Sequence, residues 1–218
     1  METLKIFSVI HAAEAATRYS RDDCSIPENV LTHTGWVATW CLFCAKDLEA
    51  AGAVIDYGSL LQKAIVHDFD EIGTGDIPRV TKYARKDCLE AFKEIERVSV
   101  KGLDKFTGIK LYDLWDSAKD RSTEGLLVKF ADIAAVVYKS WTEITRKNNY
   151  SFSRVSIEVE GMLDGILADV TQEMEANLKI WFYNRRREFV DILAEANEVC
   201  RERRTLSRLG FSIDDKAR

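Results

Sequence analysis

Along the chain, apolar residues recur at three- and four-residue intervals over long stretches, with few interruptions. The pattern predicts a first helix from about Thr3 to Tyr19, then a polar loop, SRDDCSIPENV, in which Pro27 forbids a helix. A second helix is expected from Thr32 to Ala51, stopping at Gly52 as a C-terminal glycine dictates. The segment DYGSLLQKAIVHDFDEIG predicts a third helix, capped by Asp56 or Ser59, and TGDIPRVTKYAR reads as a loop or broken turn. KDCLEAFKEIERVSVKGL gives the fourth. STEGLLVKFADIAAVVYKSWTEITRK gives the fifth, with Ser122 or Thr123 as N-cap ahead of Glu124. After a break at NNYSFS, residues 154–209 read as one or two long helices, followed by a loose tail, FSIDDKAR. No strand-like alternation, internal repeat or low-complexity run competes, so the fold class is all-α.

Composition narrows the class without naming a chemistry. With 218 residues, 46% apolar and 31% charged, the chain is an ordinary globular length that can bury a substantial core. A net charge of −5 argues against polymeric nucleic acid or an anionic membrane as partner. No stretch approaches the ~20 apolar residues of a spanning helix, and the N-terminal segment reads as a folded helix rather than a signal peptide. Five cysteines form no regular framework, and Cys41 and Cys44 have no second ligand pair nearby. Buried thiols in a reducing, cytoplasmic setting follow.

The charged stretch AIVHDFDEIGTGDIPRV carries the candidate chemistry. His67 and Glu71 are four apart, on one face of the third helix, and Asp68 adjoins His67. A histidine and a carboxylate suit a nitrogen/oxygen metal site, but two ligands do not hold an ion, and His33 and Asp132 are the candidates for the others. Asp132 interrupts an otherwise apolar helix. Burial there costs several kcal/mol unless the carboxylate either pairs with an arginine or meets a cation. Asp70 is expected to face solvent or to pair with Arg79 or Lys82. His11 is expected to be a hydrogen-bonded structural histidine on the apolar side of the first helix. The five tryptophans read as core, Trp36 being one turn from His33. Arg185, Arg186 and Arg187 read as a solvated helix face, with a subunit interface or an acidic partner as the sharper alternative.

His33, the pair His67-Asp68 and Asp132 have the order and approximate separations of the H…HD…D signature of HD-domain phosphohydrolases. The blocks RYSRDDCSIPENVLTHT, IVHDFDEIGTGDIP and LLVKFADIAAVVYK resemble those of the bacterial HD-type 5'-deoxynucleotidases, and the resemblance covers most of residues 5–145. It implies an HD-type phosphohydrolase domain over residues 1–150. Residues 151–218 would be a helical extension that packs on that domain or forms an oligomer interface. It further implies one divalent ion (Co, Mn, Zn, Mg or Fe) on His33, His67, Asp68 and Asp132, activating water to attack phosphorus. Glu71, with Asp68, would orient that water and handle its proton. Arg18 would contact phosphate, with Lys82 as a second candidate, and Asp76 would meet the sugar hydroxyl. Tyr19 stands where the family usually carries a tryptophan against the sugar, which leaves ribose versus deoxyribose open.

The implied activity is release of phosphate from (deoxy)nucleoside 5'-monophosphates by a homo-oligomer, a dimer or larger. Small viral HD proteins that cut dATP to deoxyadenosine and triphosphate would show the same residue order. A catalytically silent nucleotide-binding module is the alternative from another class, and the presence of all four ligand types and Glu71 weighs against it.

Overall fold

Among residues 2–208, which this computed structural model describes, ten α-helices and one 3-10 turn form, and no strand does. They are α1 (Glu2–Ala15), α2 (Val30–Ala50), α3 (Tyr57–Val66), α4 (Glu71–Thr74), α5 (Arg79–Lys82) and α6 (Lys86–Thr107). There follow α7 (Tyr112–Ser117), α8 (Thr123–Lys147), the 3-10 turn Tyr150–Phe152, α9 (Ser153–Glu173) and α10 (Ala176–Arg208). The tail FSIDDKAR lies outside the described residues. Two expected caps form: Asp56 accepts from the Ser59 backbone N–H, and Ser122 from that of Gly125. No helix among the described residues is long and apolar enough to cross a membrane.

Most of α8 is buried, its apolar residues wrapping far around the helix, so it sits surrounded. It packs against α2, α3, α9 and α10. Phe130 at its centre is fully buried and meets Trp40, Trp181, Phe182 and Phe189, with ring centroids 5.1–6.0 Å apart. Val159, Leu163 and Ile166 of α9 and Phe182 and Leu193 of α10 join the same core. The basic run of α10 is not simply solvated. Arg185 pairs with Asp47 of α2 at 2.5 Å and Arg186 with Asp164 of α9 at 2.6 Å, so the arginines tie helices together.

The structure departs from the sequence pattern in three further places. The third helix ends at Val66 instead of continuing to Gly73. The chain turns through tight three-residue hydrogen bonds, Phe69 N–H to Val66 and Glu71 N–H to Asp68, before α4 begins. Asp70 is buried, not exposed, and accepts a 2.7 Å hydrogen bond from Trp115 Nε1 beside a small core of Val66, Val100, Trp115 and Ala118. His11 is 83% exposed, paired loosely with Glu14 at 3.7 Å, because α1 buries only Ala13 and leaves Leu4, Ile6, Phe7 and Ile10 outside.

The loop between α1 and α2 is clamped at both ends. Thr17 bridges Asn29, and the Arg18 N–H reaches the Glu28 carbonyl at 2.9 Å. Its middle is held by Glu143 of α8, fully buried. Glu143 accepts from the backbone N–H groups of Ser25 (3.0 Å) and Ile26 (2.8 Å) and from Asn149 Nδ2 (2.9 Å), and pairs with Lys139 at 3.2 Å. Burial opposes its charge, but the hydrogen bonds from Asn149, Ile26 and Ser25 bring its pKa down to about 2. Such a depressed carboxylate contributes stability that is complete above its unfolded pKa of roughly 4.3 and is lost as pH falls toward 2. Glu143→Gln is expected to flatten the decline of the thermal midpoint between about pH 5 and pH 2; an unchanged slope would remove Glu143 from this role. Phe130→Ala is expected to cost about 3–5 kcal/mol in urea denaturation, as emptied aromatic core sites do.

Candidate metal centre

Four side chains from three places in the chain converge. Asn29 caps α2 by accepting from the Thr32 backbone N–H at 2.8 Å, and His33 stands in the first turn of that helix. His67 and Asp68 occupy the turn where α3 stops, and Asp132 projects from the middle of α8. One ligand atom from each lies within 4.8 Å of the others. His33 Nε2 is 3.2 Å from His67 Nε2, 3.3 Å from Asp68 Oδ2 and 3.2 Å from Asp132 Oδ1, and His67 Nε2 is 3.3 Å from Asp68 Oδ2. Ligand atoms sharing one ion at bond lengths of 2.0–2.2 Å stand about 2.9–3.5 Å apart. The spacing fits.

The imidazoles are oriented for it as well. His67 Nδ1–H donates to the Ala64 carbonyl at 2.8 Å, which turns the Nε2 lone pair into the cluster. His33 Nδ1 faces Glu28 Oε1 at 3.5 Å, a carboxylate behind a histidine in the outer-layer position that metal sites use. The neighbouring carboxylates draw positive charge inward. Burial and Arg18 oppose protonation of His33, yet the nearby carboxylates of Asp132, Asp68 and Glu28 push its pKa up to about 10. Asp68 is held well below the ordinary carboxylate range by His67, Arg18 and His33 against the cost of burial. Two nitrogens and two carboxylate oxygens make a donor set suited to a divalent transition metal or to magnesium. Asp132 is less enclosed than an apolar helix suggests: its side chain is 30% exposed, because it opens on the cavity beside the cluster.

Arg18 binds this centre to its surroundings. Its guanidinium lies 2.5 Å from Asp68, 3.1 Å from Glu71 and 3.2 Å from Glu28, with Asp132 at 3.9 Å. Glu71 is a half-buried neighbour of the cluster, and burial together with Asp68 raises its pKa well above the usual value. Tyr19 adopts a left-handed backbone, φ 56°, which aims its N–H at Asp76 Oδ2, 2.7 Å away. Gly75, at φ 70°, supplies the turn that delivers Asp76. Arg18, Tyr19, Asp76 and Lys82 all line one cavity of about 280 Å³ with Asp68, Glu71 and Asp132. Lys82 is not free, since its ammonium pairs with the buried Glu96 of α6. Trp36 stays out of the centre, stacking on Trp40 and Tyr138.

Sequence pattern missed Glu28 and Glu96. Glu28 carries a weak signal, an acidic residue just before the helix cap that precedes His33; Glu96 carries none, since its lysines come from α5 and from the turn after α7.

The sequence profile of YfbR-like 5'-deoxynucleotidases matches residues 5–179. The 5'-deoxynucleotidase YfbR of Escherichia coli is 28% identical over 160 residues, 71% of this chain and 78% of that protein. A 5'-deoxynucleotidase of Enterobacter is 31% identical over 90 residues, 39% of this chain, and that match spans only 45% of its own length. In fold, the chain resembles an HD-domain phosphohydrolase from Listeria innocua, with a TM-score of 0.70 at 22% identity over 93% of this chain and 98% of that one. It also resembles the cyanophage S-2L HD phosphohydrolase DatZ, solved with dA and one catalytic zinc ion, with a TM-score of 0.59 at 16% identity. That likeness covers 85% of this chain and 95% of the phage protein.

Removing the carboxylate behind His33 is expected to weaken the metal without removing a ligand. Glu28→Gln should lower manganese affinity roughly 10–100-fold by competition titration, the usual cost of a lost outer-layer partner. Affinity equal to wild type would show that Glu28 serves only Arg18.

Proposed function

The chain belongs to the YfbR-like 5'-deoxynucleotidase family and is a metal-dependent nucleotide phosphohydrolase, and on that premise we propose that it removes the 5'-phosphate from (deoxy)nucleoside monophosphates. The observation that carries the reading is the convergence of His33, His67, Asp68 and Asp132 at mutual spacings suited to one ion. In this reading those four residues are the ligands. A divalent ion held there supplies Lewis acidity and activates water at neutral pH.

The remaining roles belong to the chain's own side chains. Arg18 presents a guanidinium at the edge of the ligand cluster, where its planar fork suits phosphoryl oxygens. Glu71, across Arg18 from Asp68, orients the attacking water and handles its proton, with Asp68 sharing that orientation. Asp76 is held toward the cavity by its contact with the Tyr19 backbone, where it accepts from a sugar hydroxyl, while the Tyr19 ring packs beside Phe152 as a wall for the sugar. Lys82 sits at the mouth as a second cation, tethered by Glu96.

The division into a phosphohydrolase domain over residues 1–150 and a helical extension beyond it belongs to the same reading. So does a homo-oligomer in the cytoplasm, which fits the exposed apolar side chains of α1 and five cysteines that are all free thiols.

The test is a screen of ribose and deoxyribose mono- and triphosphates with manganese, cobalt, magnesium and zinc. Inorganic phosphate from deoxynucleoside monophosphates is the expected product; no release from any monophosphate would overturn the reading. Glu71→Gln is expected to keep the metal and lose roughly 10²–10⁴ in kcat, the range of a proton-transfer group. His67→Ala should lose both metal and turnover, and a fully active His67→Ala enzyme would dismiss the ligand set.

A further inference from the structure

A second cavity, of about 620 Å³, shares Asp68, Asp132, Arg79, Lys82, Tyr83 and Met162 with the first, but Arg18, Tyr19 and Asp76 do not line it. α5, α6, α7, α8 and α9 and the α7–α8 connection enclose it. Seven of its lining side chains are cationic and six are carboxylates, and two of those carboxylates, Asp68 and Asp132, belong to the ligand cluster. Three of the other four are already engaged. Glu96 lies buried between Lys82 and Lys119, and Asp169 accepts from Lys129 at 2.6 Å and faces Arg121 at 3.4 Å. Asp120 is satisfied at 2.6 Å by Lys63, which is not part of the lining. Lys93 makes no ion pair with another described residue. Arg97 pairs with Glu94 at 3.3 Å and Arg121 also with Glu173 at 2.9 Å, so Lys93 and Arg79 are the lining cations left without a carboxylate partner among the described residues, against Asp116.

The floor of the cavity is kept open by α9. Gly161 and Gly165 lie one turn apart, and a methyl group added to either would meet nothing within 4 Å. Glycine inside a helix costs roughly 1 kcal/mol relative to alanine, so α9 forgoes stability where it borders the cavity. Cations already sit on the aromatic rings there: Lys119 lies 3.7 Å over the Trp115 ring, and Arg79 lies 4.5 Å over Tyr83. An oxyanion would find ammonium groups.

We propose that this cavity is a phosphate chamber, holding phosphoryl oxyanions beyond the ligand cluster while the nucleoside occupies the smaller cavity. The proposal rests on the nucleotide-phosphohydrolase reading of the centre. Its ligand has two sources with one chemistry: the inorganic phosphate released from a monophosphate, or the distal phosphates of a nucleoside triphosphate. Lysine ammonium groups recognise either through charge-assisted hydrogen bonds.

Gly165→Phe fills the chamber from a position with open space, and Lys93→Glu reverses a charge at its rim without a folding burden. Each manganese-loaded variant is compared with wild type by calorimetric titration with inorganic phosphate and by KM for deoxynucleoside mono- and triphosphates. A rise of about tenfold in triphosphate KM, with monophosphate KM within about twofold, assigns the chamber to distal phosphates. A rise of about fivefold in the phosphate Kd, with both KM values unchanged, assigns it to the product. If both variants match wild type in every measurement, or lose monophosphate and triphosphate alike, the chamber is refuted. A wild type that cleaves no nucleoside phosphate would sink the functional reading instead, and the phosphate titration of wild type against the two variants would still decide the chamber.

Discussion

The arrangement depends on one electrostatic constraint: Glu28, Asp68, Glu71 and Asp132 are brought together where water is scarce. Carboxylates this close repel one another and lose hydration, so they must share positive charge. Arg18 supplies it from one side, touching three of them and approaching the fourth, and the two histidines face them from the other. Asp68 keeps its charge in this setting, whereas burial and Asp68 push the Glu71 carboxyl toward its neutral form. A compact cation at the cluster answers the same demand, so electrostatics and ligand geometry point to one conclusion.

Much of the surrounding fold serves to hold those charges in place. α8 is a largely buried rod, and its rigidity fixes both Asp132 and, two to three turns later, Lys139 and Glu143. Glu143 in turn grips the backbone of the loop that presents Arg18, Tyr19 and Glu28. The end of α3 at Val66 matters as much. His67 and Asp68, in the turn beyond it, reach one point, with His67 Nε2 3.3 Å from Asp68 Oδ2. Asp70 and Trp115 secure that turn from behind.

The two cavities that meet at Asp68 and Asp132 differ in kind. One carries Tyr19, Asp76 and Arg18; the other is larger, lined by seven cationic side chains, with a glycine floor. A centre between two unlike chambers can receive a substrate that is itself of two unlike parts, a nucleoside and its phosphates.

The local pattern determined what local physics controls. Apolar periodicity marked α2, α6 and α8, the caps Asp56 and Ser122 followed from their own sequence, and the motif spacing singled out His33, His67, Asp68 and Asp132. Two readings failed for a common reason, and a third residue, Lys82, gained a partner its sequence did not show. Asp70 sat between polar neighbours and read as exposed or paired with Arg79 or Lys82, and His11 lay on an apolar stripe and read as packed. Each depends on a partner, or the lack of one, far along the chain: Trp115 is 45 residues from Asp70, and Glu96 reaches Lys82 and Lys119 from a separate helix. Burial and ion pairing at such positions are set by which helices pack together. Only the tertiary structure decides that, because side chains so distant in sequence meet only after the core around α8 has closed.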